Sequence, residues 1–545
     1  MTISKYLKLY KNEQITLLSE NIMPVSDRHL TIYVTWNLSL KEIAQNDKTG
    51  KAIELLNLIA FCHFVDIPKP LLMGYLYGAV DNKSEIEFNK IIAFLRQYSL
   101  LKVTSDTVAI HHLVQDCIRS NLTSDEQKYI LKKAIKTFKK IYPIEDKKKE
   151  DIELVKVLFP QMENFLTYKE LLTPADRAIL DILISDAYYF VGDYLKTTPL
   201  LQEALSLQKK DSENHNSINI ASTLIRLGRS YENIGEYKKA EATVKEALEI
   251  EEKYYGTRNN IEVSEAINHL GMIYLWLGNY NKSKTLLEEA LAIKEKHYGT
   301  RNNIKVADTI RWLGTAYLYI GNYEKSKTNL LEALKIQENY YGTRDNLDIA
   351  STLRRLSRSY LNNKEYKEAQ ILIEETLAIY RRHFKDSEHI DIGFILKDLG
   401  RIYVYKGEYD KAIPLLERSL EIKKQYYRVE KHMEYAFIWR ELGVAYINLR
   451  EFDKAKILLE NTLSAREEYY KSDHPEIADT LYALAMLEHA KGENKNALIL
   501  LSKGITMLEE YPGFDKNNIY LKQSKQLKQE ILKSTKQSMI SRSLE

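Results

Sequence analysis

The stretch "LGMIYLWLGNYNKSKTLLEEAL", residues 270–291, decides the fold because it recurs along the chain at a constant spacing. Related copies are "LGRSYENIGEYKKAEATVKEAL", residues 227–248, and "LGTAYLYIGNYEKSKTNLLEAL", residues 313–334. Self-similarity at a period of this length is typical of proteins that stack one supersecondary unit many times. The repeat is therefore the feature from which the rest of the chain is interpreted.

Each copy is marked by a small residue that is followed three positions later by an aromatic residue. The small residue recurs every 43 positions, apart from a last step of 42, at Ser185, Gly228, Gly271, Gly314, Ser357, Gly400, Gly443 and Ala485. The aromatic residue stands at Tyr188, Tyr231, Tyr274, Tyr317, Tyr360, Tyr403 and Tyr446, and the eighth copy has Glu488 instead. Eight repeats of about 43 residues are thus predicted between residues 176 and 510.

Within one copy, the spacing predicts two helices that pack as a hairpin. Leu224, Leu227 and Tyr231 lie at i, i+3 and i+7, which is one stripe of a first helix. Gly228 lets a second helix approach closely, and Gly235 ends the first helix because a left-handed cap costs glycine little. The facing stripe of the second helix is Ala240, Val244, Ala247 and Leu248. One such hairpin cannot bury its own apolar surface, but a stack of hairpins can.

This pattern resembles the tetratricopeptide repeat, whose usual unit is about 34 residues. An extended second helix and a linker such as "YYGTRNN" (254–260) account for the longer period, and the linker returns as "HYGTRNN" (297–303) and "YYGTRDN" (340–346). The array is similar to the long-repeat tetratricopeptide arrays of kinesin light chains and of many bacterial signalling ATPases. The resemblance implies an all-α fold, in which eight long helix-turn-helix repeats form a right-handed superhelix.

In such a superhelix the first helices line a concave groove, and the positions three before and one after the small residue are expected to face it. Seven of these sixteen side chains are basic and one is acidic, although the whole chain carries 79 basic and 76 acidic residues. The excess predicts a groove for an extended acidic or phosphorylated peptide, because arginine binds carboxylate and phosphate through two hydrogen bonds. The alternative is a solvated helix face whose arginines pair with neighbouring carboxylates. The predicted groove residues are Arg229, Asn233, Asn268, Arg311, Arg354, Arg358, Asn362, Lys397, Arg401, Arg440 and Asn448.

Residues 29–122 follow a different pattern. "TIYVTWNLSLKEIA" (31–44) and "GKAIELLNLIAFC" (50–62) predict two amphipathic helices, and "SEIEFNKIIAFLRQYSL" (84–100) predicts a third, opened by a Ser84/Glu87 capping box. "LLKVTSDTVAIHHL" (100–113) contains two β-branched runs around a turn, which indicates a hairpin. Three helices and a hairpin describe a winged-helix domain. Its third helix balances Lys90 and Arg96 against Glu85 and Glu87, so nucleic-acid binding is not predicted.

The segments "VTWNLSL" (34–40), "IAFCHFVDIPKPLL" (59–72) and "AIHHLVQDCIR" (109–119) resemble the winged helix of NB-ARC-type signal-transduction ATPases. In that family a histidine after the wing contacts the β-phosphate of bound ADP, and the matching residue here is His111. Residues 4–20 resemble the tail of the preceding small helical domain. "VLFPQMENFL" (157–166) resembles the linker that leads into the repeats. The resemblance therefore divides the chain into 1–28, the winged-helix domain 29–122, a helical linker 123–175, the repeats 176–510 and a C-terminal capping helix 511–545.

A nucleotide site also needs a phosphate-binding loop of the form GxxxxGK[ST], and none of the 20 glycines belongs to one. No cofactor is therefore predicted, and His111 is a nucleotide-binding candidate only if a nucleotide-binding domain is supplied in trans. Two functions remain open. The chain is either a non-enzymatic scaffold that binds an acidic peptide or protein, or the sensor half of a split or truncated NB-ARC-type ATPase that acts with a separate nucleotide-binding part.

The remaining sequence features point to the cytoplasm. The N-terminus has no secretory signal, and the longest apolar run, residues 55–65, is too short to span a bilayer. Cys62 and Cys117 have no CxxC spacing, which fits a reducing compartment. Adjacent residues lie about 100° apart on a helix, so His111 and His112 are not expected to hold one metal. The predictions are a cytoplasmic protein, no membrane contact and no metal.

Overall fold

A computed structural model describes residues 27–78, 81–142, 149–210, 217–384, 389–430, 432–471, 473–511 and 519–544. The predicted segment 1–28 lies almost wholly outside these residues. The chain forms two compact units, which are Met1–Phe190 with Pro199–His215, and Val191–Thr198 with Asn216–Glu545. No helix of the described residues is long and apolar enough to cross a lipid bilayer.

The N-terminal unit is helical and contains one small sheet. Its strands are β1 (Ile67–Pro68), β2 (Leu101–Val103) and β3 (Thr107–Ile110), and both β1 and β2 pair with β3 in antiparallel orientation. The predicted hairpin is confirmed by the pairing of Leu101 with Ile110 and of Val103 with Val108. The helices are α1 (Asp27–Asn46), α2 (Lys51–Ile59), α3 (Lys69–Tyr77), α4 (Asn82–Arg96), α5 (His112–Ser120), α6 (Ser124–Ile141), α7 (Lys149–Phe165) and α8 (Pro174–Phe190), with a 3-10 helix at Leu166–Leu171.

Two sequence predictions in this unit are wrong. Helix α3 was not expected, and it forms because a proline at its first turn favours helix initiation and because Leu71, Leu72 and Tyr75 are buried in the core. The capping box of α4 is not Ser84/Glu87. The N-cap is Asp81, whose carboxylate accepts a hydrogen bond from the Ser84 N–H at 2.7 Å, while the Ser84 hydroxyl accepts one from the Asp81 N–H at 2.9 Å.

A continuous apolar core holds the N-terminal unit together. Phe61, Phe88, Phe138 and Phe165 are fully buried, and the rings of Phe138 and Phe165 meet edge to face at 5.2 Å. The first predicted repeat begins in this unit, because α8 packs against α6 and α7. Its second helix, α9 (Tyr194–Lys210), is divided between the two units.

The second unit is a stack of helical hairpins with constant helix lengths. The second helix of each hairpin from α11 to α21 is 19 residues long, which accounts for much of the long period. The helices are α10 (Ser217–Asn233), α11 (Tyr237–Tyr255), α12 (Ile261–Trp276), α13 (Tyr280–Tyr298), α14 (Ile304–Ile320), α15 (Tyr323–Tyr341), α16 (Leu347–Asn362), α17 (Tyr366–Phe384), α18 (Ile390–Lys406), α19 (Tyr409–Tyr427), α20 (Met433–Asn448), α21 (Phe452–Tyr470), α22 (Pro475–Ala490) and α23 (Asn494–Glu510).

The small residue of each repeat allows the two helices of a hairpin to touch. A Cβ added to Gly443 would lie 2.8 Å from the side chain of Leu459, and one added to Gly400 would lie 2.7 Å from Leu416. Such distances are shorter than any van der Waals contact, so the helices approach as closely as glycine permits. Gly235, predicted to end the first helix of its copy, has φ of 84° just after α10 ends at Asn233.

The start of each first helix from α12 to α22 is also repeated. The residue eleven positions before the small residue is the N-cap, and its side chain accepts a hydrogen bond from the N–H two residues later. This residue is Asn260, Asn303 or Asn346 in three repeats and His389, His432 or His474 in the next three. Asparagine oxygen and the imidazole Nδ1 therefore perform the same task.

A last helix, α24 (Ile519–Leu544), covers the end of the stack. Its apolar residues Leu521 and Ile531 are buried against α22 and α23, Leu521 among Ile477, Leu481 and Ile505. The end of a repeat stack must be covered by an element with a polar outer face. Polar residues of α24, such as Lys525, lie on its exposed side.

Candidate functional site

The predicted groove residues lie on the first helices α10 to α20, and most of the basic ones contact carboxylates. Arg354 donates from Nε to Asp398 Oδ2 at 2.6 Å, and Lys397 Nζ lies 3.3 Å from Asp398 Oδ1. Arg440 binds Asp479 through two hydrogen bonds, of 2.8 and 3.1 Å. The pairs Arg354–Asp398 and Arg440–Asp479 join neighbouring repeats, so part of the predicted basic surface is neutralised inside the protein.

Two further arginines of the prediction are also paired. The Arg401 Nε lies 3.3 Å from Glu441 Oε1, and the Arg311 guanidinium contacts Asp308 in its own helix. The carboxylates occupy positions two and six residues before the small residue, which the sequence prediction did not count. The excess of basic side chains in the groove is therefore smaller than the sequence count suggested.

The predicted asparagines differ in their hydrogen bonds and in their burial. Asn233 and Asn448 each donate from Nδ2 to the carbonyl oxygen four residues earlier in the helix, at 2.8 Å. Asn268 is only 1% exposed, and its Nδ2 lies 3.8 Å from the sulfur of Met272. Arg229 lies close enough to His269 to lower the pKa of that buried imidazole, although burial is the larger cause.

One arginine that the sequence prediction missed is Arg355, next to Arg354 on α16. Its guanidinium lies over the ring of Trp312 at 4.1 Å and donates to Ser351, at 2.5 Å to the hydroxyl and 3.1 Å to the carbonyl oxygen. Within the described part of the chain no carboxylate lies within ion-pair distance of it. Burial lowers the pKa of Arg355 well below its ordinary value, and the positive charges of Arg311, Arg354 and Arg358 lower it further.

Arg358, one turn further along α16, is held by an aromatic residue. It donates to the hydroxyl of Tyr319 at 2.9 Å, and its guanidinium lies 5.3 Å from the centre of that ring. No described carboxylate forms an ion pair with Arg358 either, and its Nε is buried without a hydrogen-bond partner among the described residues. We call Arg311, Arg354, Arg355 and Arg358 the arginine cluster.

Burial and neighbouring side chains shift the pKa values of two carboxylates near the predicted groove residues. Burial alone would raise the pKa of Asp398, but Arg354, Lys397 and Arg358 together hold it below its ordinary value. Glu232 behaves in the opposite way, because burial raises its pKa more than the Trp276 indole N–H, 2.8 Å away, lowers it. The groove therefore holds firmly ionised acids beside the arginines and a more weakly ionised acid near α12.

A cavity of about 180 Å³ lies at the C-terminal end of α16, the helix that carries three members of the arginine cluster. It brings together two of the predicted groove residues, Asn362 and Arg401, which come from adjacent repeats. The other lining residues are Leu361, Lys364, Tyr366, Tyr405 and, from the C-terminal helix α24, Gln523. Basic, amide and aromatic side chains around one concave space are suited to a polar, negatively charged group.

Arg355 and two of the carboxylates that the sequence prediction missed occupy one position of the repeat, and that position is visible in the sequence. Position two before the small residue holds Trp312, Arg355, Asp398 and Glu441 in four successive repeats, and each of these side chains contacts an arginine: Trp312 contacts Arg355, Asp398 contacts Arg354, and Glu441 contacts Arg401. A helix face of about 100° includes this position together with the two that were counted. Counting three positions would have found Arg355 and the neutralising acids together.

His111, the nucleotide-binding candidate, is exposed and is the N-cap of α5. Its Nδ1 accepts a hydrogen bond from the Leu113 N–H at 3.2 Å, and its ring stacks on that of His112 at 4.4 Å. The centre of the Trp36 ring lies 5.8 Å from that of the His111 ring. Among the described residues, no group of three or more His, Cys, Asp or Glu side chains is arranged to hold a metal ion.

Several solved structures resemble this chain. A Rap protein complexed with Competence and Sporulation Factor is 13% identical, and the match covers 71% of this chain and 99% of that one with a TM-score of 0.50. BtubC (BKLC) from P. vanneervenii is 19% identical over 44% of this chain and 94% of its own, with a TM-score of 0.33. A STAND protein with a tetratricopeptide repeat sensor from Pyrococcus horikoshii is 17% identical over 94% and 70%, with a TM-score of 0.36.

At these identities the similarity to the Rap protein concerns the fold alone. No curated protein sequence matches the chain. The model of the tetratricopeptide repeat family matches residues 176–253, 262–339, 305–382, 348–425 and 434–510. These matches cover more than half of the sequence and coincide with the observed hairpins, so the chain belongs to the tetratricopeptide repeat family.

Proposed function

We propose that the chain is a non-enzymatic scaffold that binds an extended acidic peptide or protein segment along its groove. Repeats of this family indicate a protein-protein interaction scaffold. The Rap protein of the same fold was solved in complex with Competence and Sporulation Factor, which supports partner binding by such a stack. The acidic character of the partner rests on the side chains of this groove.

The observation that carries the proposal is the pair Arg355 and Arg358. The other members of the arginine cluster have carboxylate partners, whereas these two contact a serine, a tryptophan and a tyrosine. Two half-buried cations without a carboxylate in contact are costly unless an anion completes the site, and Asp398, the acid that interacts electrostatically with Arg358, is already paired with Arg354. A partner that supplies carboxylate groups would lower that cost, and it would gain hydrogen bonds that the protein itself does not use.

The adjacent cavity supports the same function. Asn362 and Arg401 would face a segment that continues past the arginine cluster, and Asn233 and Asn448 are the equivalents of Asn362 in other repeats. The predicted set of groove residues thus remains our proposed binding surface, with Arg355 added. Asn268 contributes least to it because its side chain is buried.

The test is to bind a fluorescent acidic peptide to the full chain and to a double variant, Arg355→Gln with Arg358→Gln. Neither arginine pairs with a carboxylate, so this change removes two positive charges without leaving a buried acid unpaired. We expect at least about tenfold weaker binding and a smaller dependence of the affinity on salt, since fewer charges are engaged.

A matched control is the exposed pair Lys411→Gln with Lys454→Gln on second helices, which are 66% and 61% exposed. It also removes two positive charges but leaves the groove intact, so we expect the peptide affinity to stay unchanged. Equal effects of the two double variants would contradict the proposal, because the net charge of the protein would then explain the binding.

The second candidate function is the sensor half of an NB-ARC-type ATPase that acts with a separate nucleotide-binding part. An exposed group of rings on the N-terminal unit favours it: Phe64 stacks on His63 at 4.7 Å and contacts His112 at 6.4 Å, and His111 is exposed beside them. In this proposal residues 29–122 form a winged-helix domain in the cytoplasm and His111 meets the nucleotide of the partner. The test is ADP binding by a mixture of this chain with such a partner, and equal ADP affinity with His111→Ala would contradict the role of His111.

A further inference from the structure

We propose that Ser351 and the arginine cluster around it form a site for the phosphate group of a phosphorylated segment. The inference rests on the proposed function, because it assumes that a peptide lies in the groove. It goes further by assigning one position in the groove, the first half of α16, to a doubly charged anion rather than to a single carboxylate.

The geometry begins with two arginines that meet at one oxygen atom. Arg311 donates to the Ser351 hydroxyl at 3.2 Å, and Arg355 donates to the same oxygen at 2.5 Å. Arg311 comes from α14 and Arg355 from α16, so adjacent repeats bring two guanidinium groups to one point. A neutral hydroxyl binds two cations more weakly than an anionic oxygen would. Ser351 therefore marks a place where an anionic oxygen is the stronger ligand.

The charges around this point favour a dianion. Arg311 is balanced by Asp308, whereas Arg354 and Lys397 share the single carboxylate of Asp398 and so keep one positive charge between them. Arg355 and Arg358 remain, and each carries one positive charge without a carboxylate in contact among the described residues. A carboxylate would balance one of them, whereas a phosphate monoester carries about −1.5 to −2 at pH 7 and would balance both.

Unused donors point to the same ligand. The Nε atoms of Arg311 and Arg358 are buried and have no hydrogen-bond partner in the described part of the chain. A phosphate group offers three oxygen acceptors, one more than a carboxylate, and can accept from several arginines at once. Arg311, which contacts Ser351, and Arg358, which lies two turns further along α16, thus supply donors that such a tetrahedral ligand would use.

Aromatic side chains hold two of the guanidinium groups in place before any ligand arrives. The Trp312 ring lies 4.1 Å from the Arg355 guanidinium and is 6% exposed, and Tyr319 holds Arg358 through its hydroxyl. Arginines fixed in this way lose little freedom on binding, which favours affinity. Asn362 follows Arg358 by four residues and lines the cavity, so residues that flank the phosphate would enter that space.

The experiment compares three peptides that differ at one residue, with identical acidic flanks: phosphoserine, glutamate and serine. Each is titrated into the full chain at an ionic strength of about 0.15 M, near the physiological value. We expect the phosphoserine peptide to bind about tenfold or more tightly than the glutamate peptide. In the double variant Arg355→Gln with Arg358→Gln, we expect this ratio to fall close to one.

Inorganic phosphate is titrated alone as a further arm. If it binds as tightly as the phosphoserine peptide, free phosphate is the ligand and the phosphopeptide proposal is overturned. A second variant, Ser351→Ala, removes the internal oxygen but keeps every arginine. We expect it to bind the phosphoserine peptide at least as tightly as the unchanged chain, whereas a loss of about tenfold would contradict the assigned role of Ser351.

The outcomes separate the two proposals. If the phosphoserine and glutamate peptides bind equally, the phosphate site is overturned and the acidic-peptide scaffold remains. If none of the three peptides binds in a salt-dependent manner, the proposed function itself fails. Circular dichroism of both variants shows whether the helical stack is intact, so that a loss of binding is not a loss of folding.

Discussion

The hydroxyl of Tyr469 donates a hydrogen bond to the carbonyl oxygen of Gly235, which lies 234 residues earlier in the chain. Tyr511 makes the equivalent bond to Leu277 at 3.3 Å, again across 234 residues, and Tyr426 accepts one from the Leu195 N–H at 3.3 Å. These tyrosines lie at the C-terminal ends of the second helices of late repeats, and their partners lie in early repeats, Gly235 and Leu277 in turns and Leu195 at the start of α9. Repeats that are five apart in the stack therefore touch, and we call this contact the seam.

We expect Tyr469→Phe to lower the free energy of unfolding by about 1 kcal/mol, because a buried carbonyl oxygen loses its donor while the ring is kept. Urea unfolding followed by circular dichroism measures the change. Tyr254→Phe is the control, since Tyr254 is 60% exposed at the corresponding end of α11. An equal loss of stability in the two variants would show that the seam contributes nothing.

The close approach of helices at the small residue leads to a second prediction. We expect Gly443→Ala to destabilise the protein by about 1–3 kcal/mol, because its Cβ would lie 2.8 Å from the Leu459 side chain. Gly504→Ala in α23 is a matched control, since its nearest contact would be an ordinary 3.4 Å. There the better helix propensity of alanine is expected to make the change neutral or stabilising by up to about 1 kcal/mol. Chemical unfolding of both variants measures whether the free energy of unfolding falls in Gly443→Ala and stays equal or rises in Gly504→Ala.

The histidine caps predict a dependence of stability on pH. Burial, together with the charge of Arg466, lowers the pKa of His474 from 6.5 to about 3. The folded state thus binds this proton less readily than the unfolded state. The contribution of His474 is fully present above pH 6.5 and is lost as the pH falls toward 3, by at most about 1.4 kcal/mol per pH unit.

Replacement by asparagine separates the cap from the titration. His474→Asn keeps a capping oxygen, as Asn260, Asn303 and Asn346 do in other repeats, but cannot take up a proton. We expect this variant to lose less stability between pH 6 and pH 4 than the unchanged chain. His297→Asn changes an exposed imidazole and should leave the pH profile unaltered. Parallel profiles for all three proteins would contradict the prediction.

Ion pairing inside the groove predicts a strong effect of Asp398→Asn. This change leaves Arg354 and Lys397 without their shared carboxylate, and we expect a loss of about 3–5 kcal/mol in the free energy of unfolding. Asp453→Asn, at the exposed start of α21, should cost less than about 1 kcal/mol. Sulfate is expected to restore more stability to Asp398→Asn than to the control, and equal effects on both would contradict a buried ion pair. Thermal unfolding with and without sulfate measures this difference.

The sequence anticipated the features that repeat. The period of the small residue and of Tyr231, Tyr274 and Tyr317 predicted the hairpins, because a stack of identical packing units places the same demand on each copy. The hairpin formed by β2 and β3 was predicted for a similar local reason. Helix α3 was not predicted, because its short apolar run has no periodic partner and is stabilised by burial in the core.

The groove was predicted in part. The faces of the first helices predicted Arg354, Arg401 and Arg440 as residues of one surface, but pairs such as Arg354 with Asp398 join residues 44 positions apart. Such a pair depends on how one repeat is rotated against the next, and no local pattern encodes that rotation.

By itself, the sequence determined the number, length and internal packing of the repeats, because those depend on contacts within about 43 residues that recur in every copy. Only the tertiary structure decided which charges remain without a counterion and where Tyr469 meets Gly235. Small rotations between successive repeats add up along the stack, and their sum brings distant residues together. Arg355 thus came to lie near three other arginines and over Trp312, which belongs to the preceding repeat.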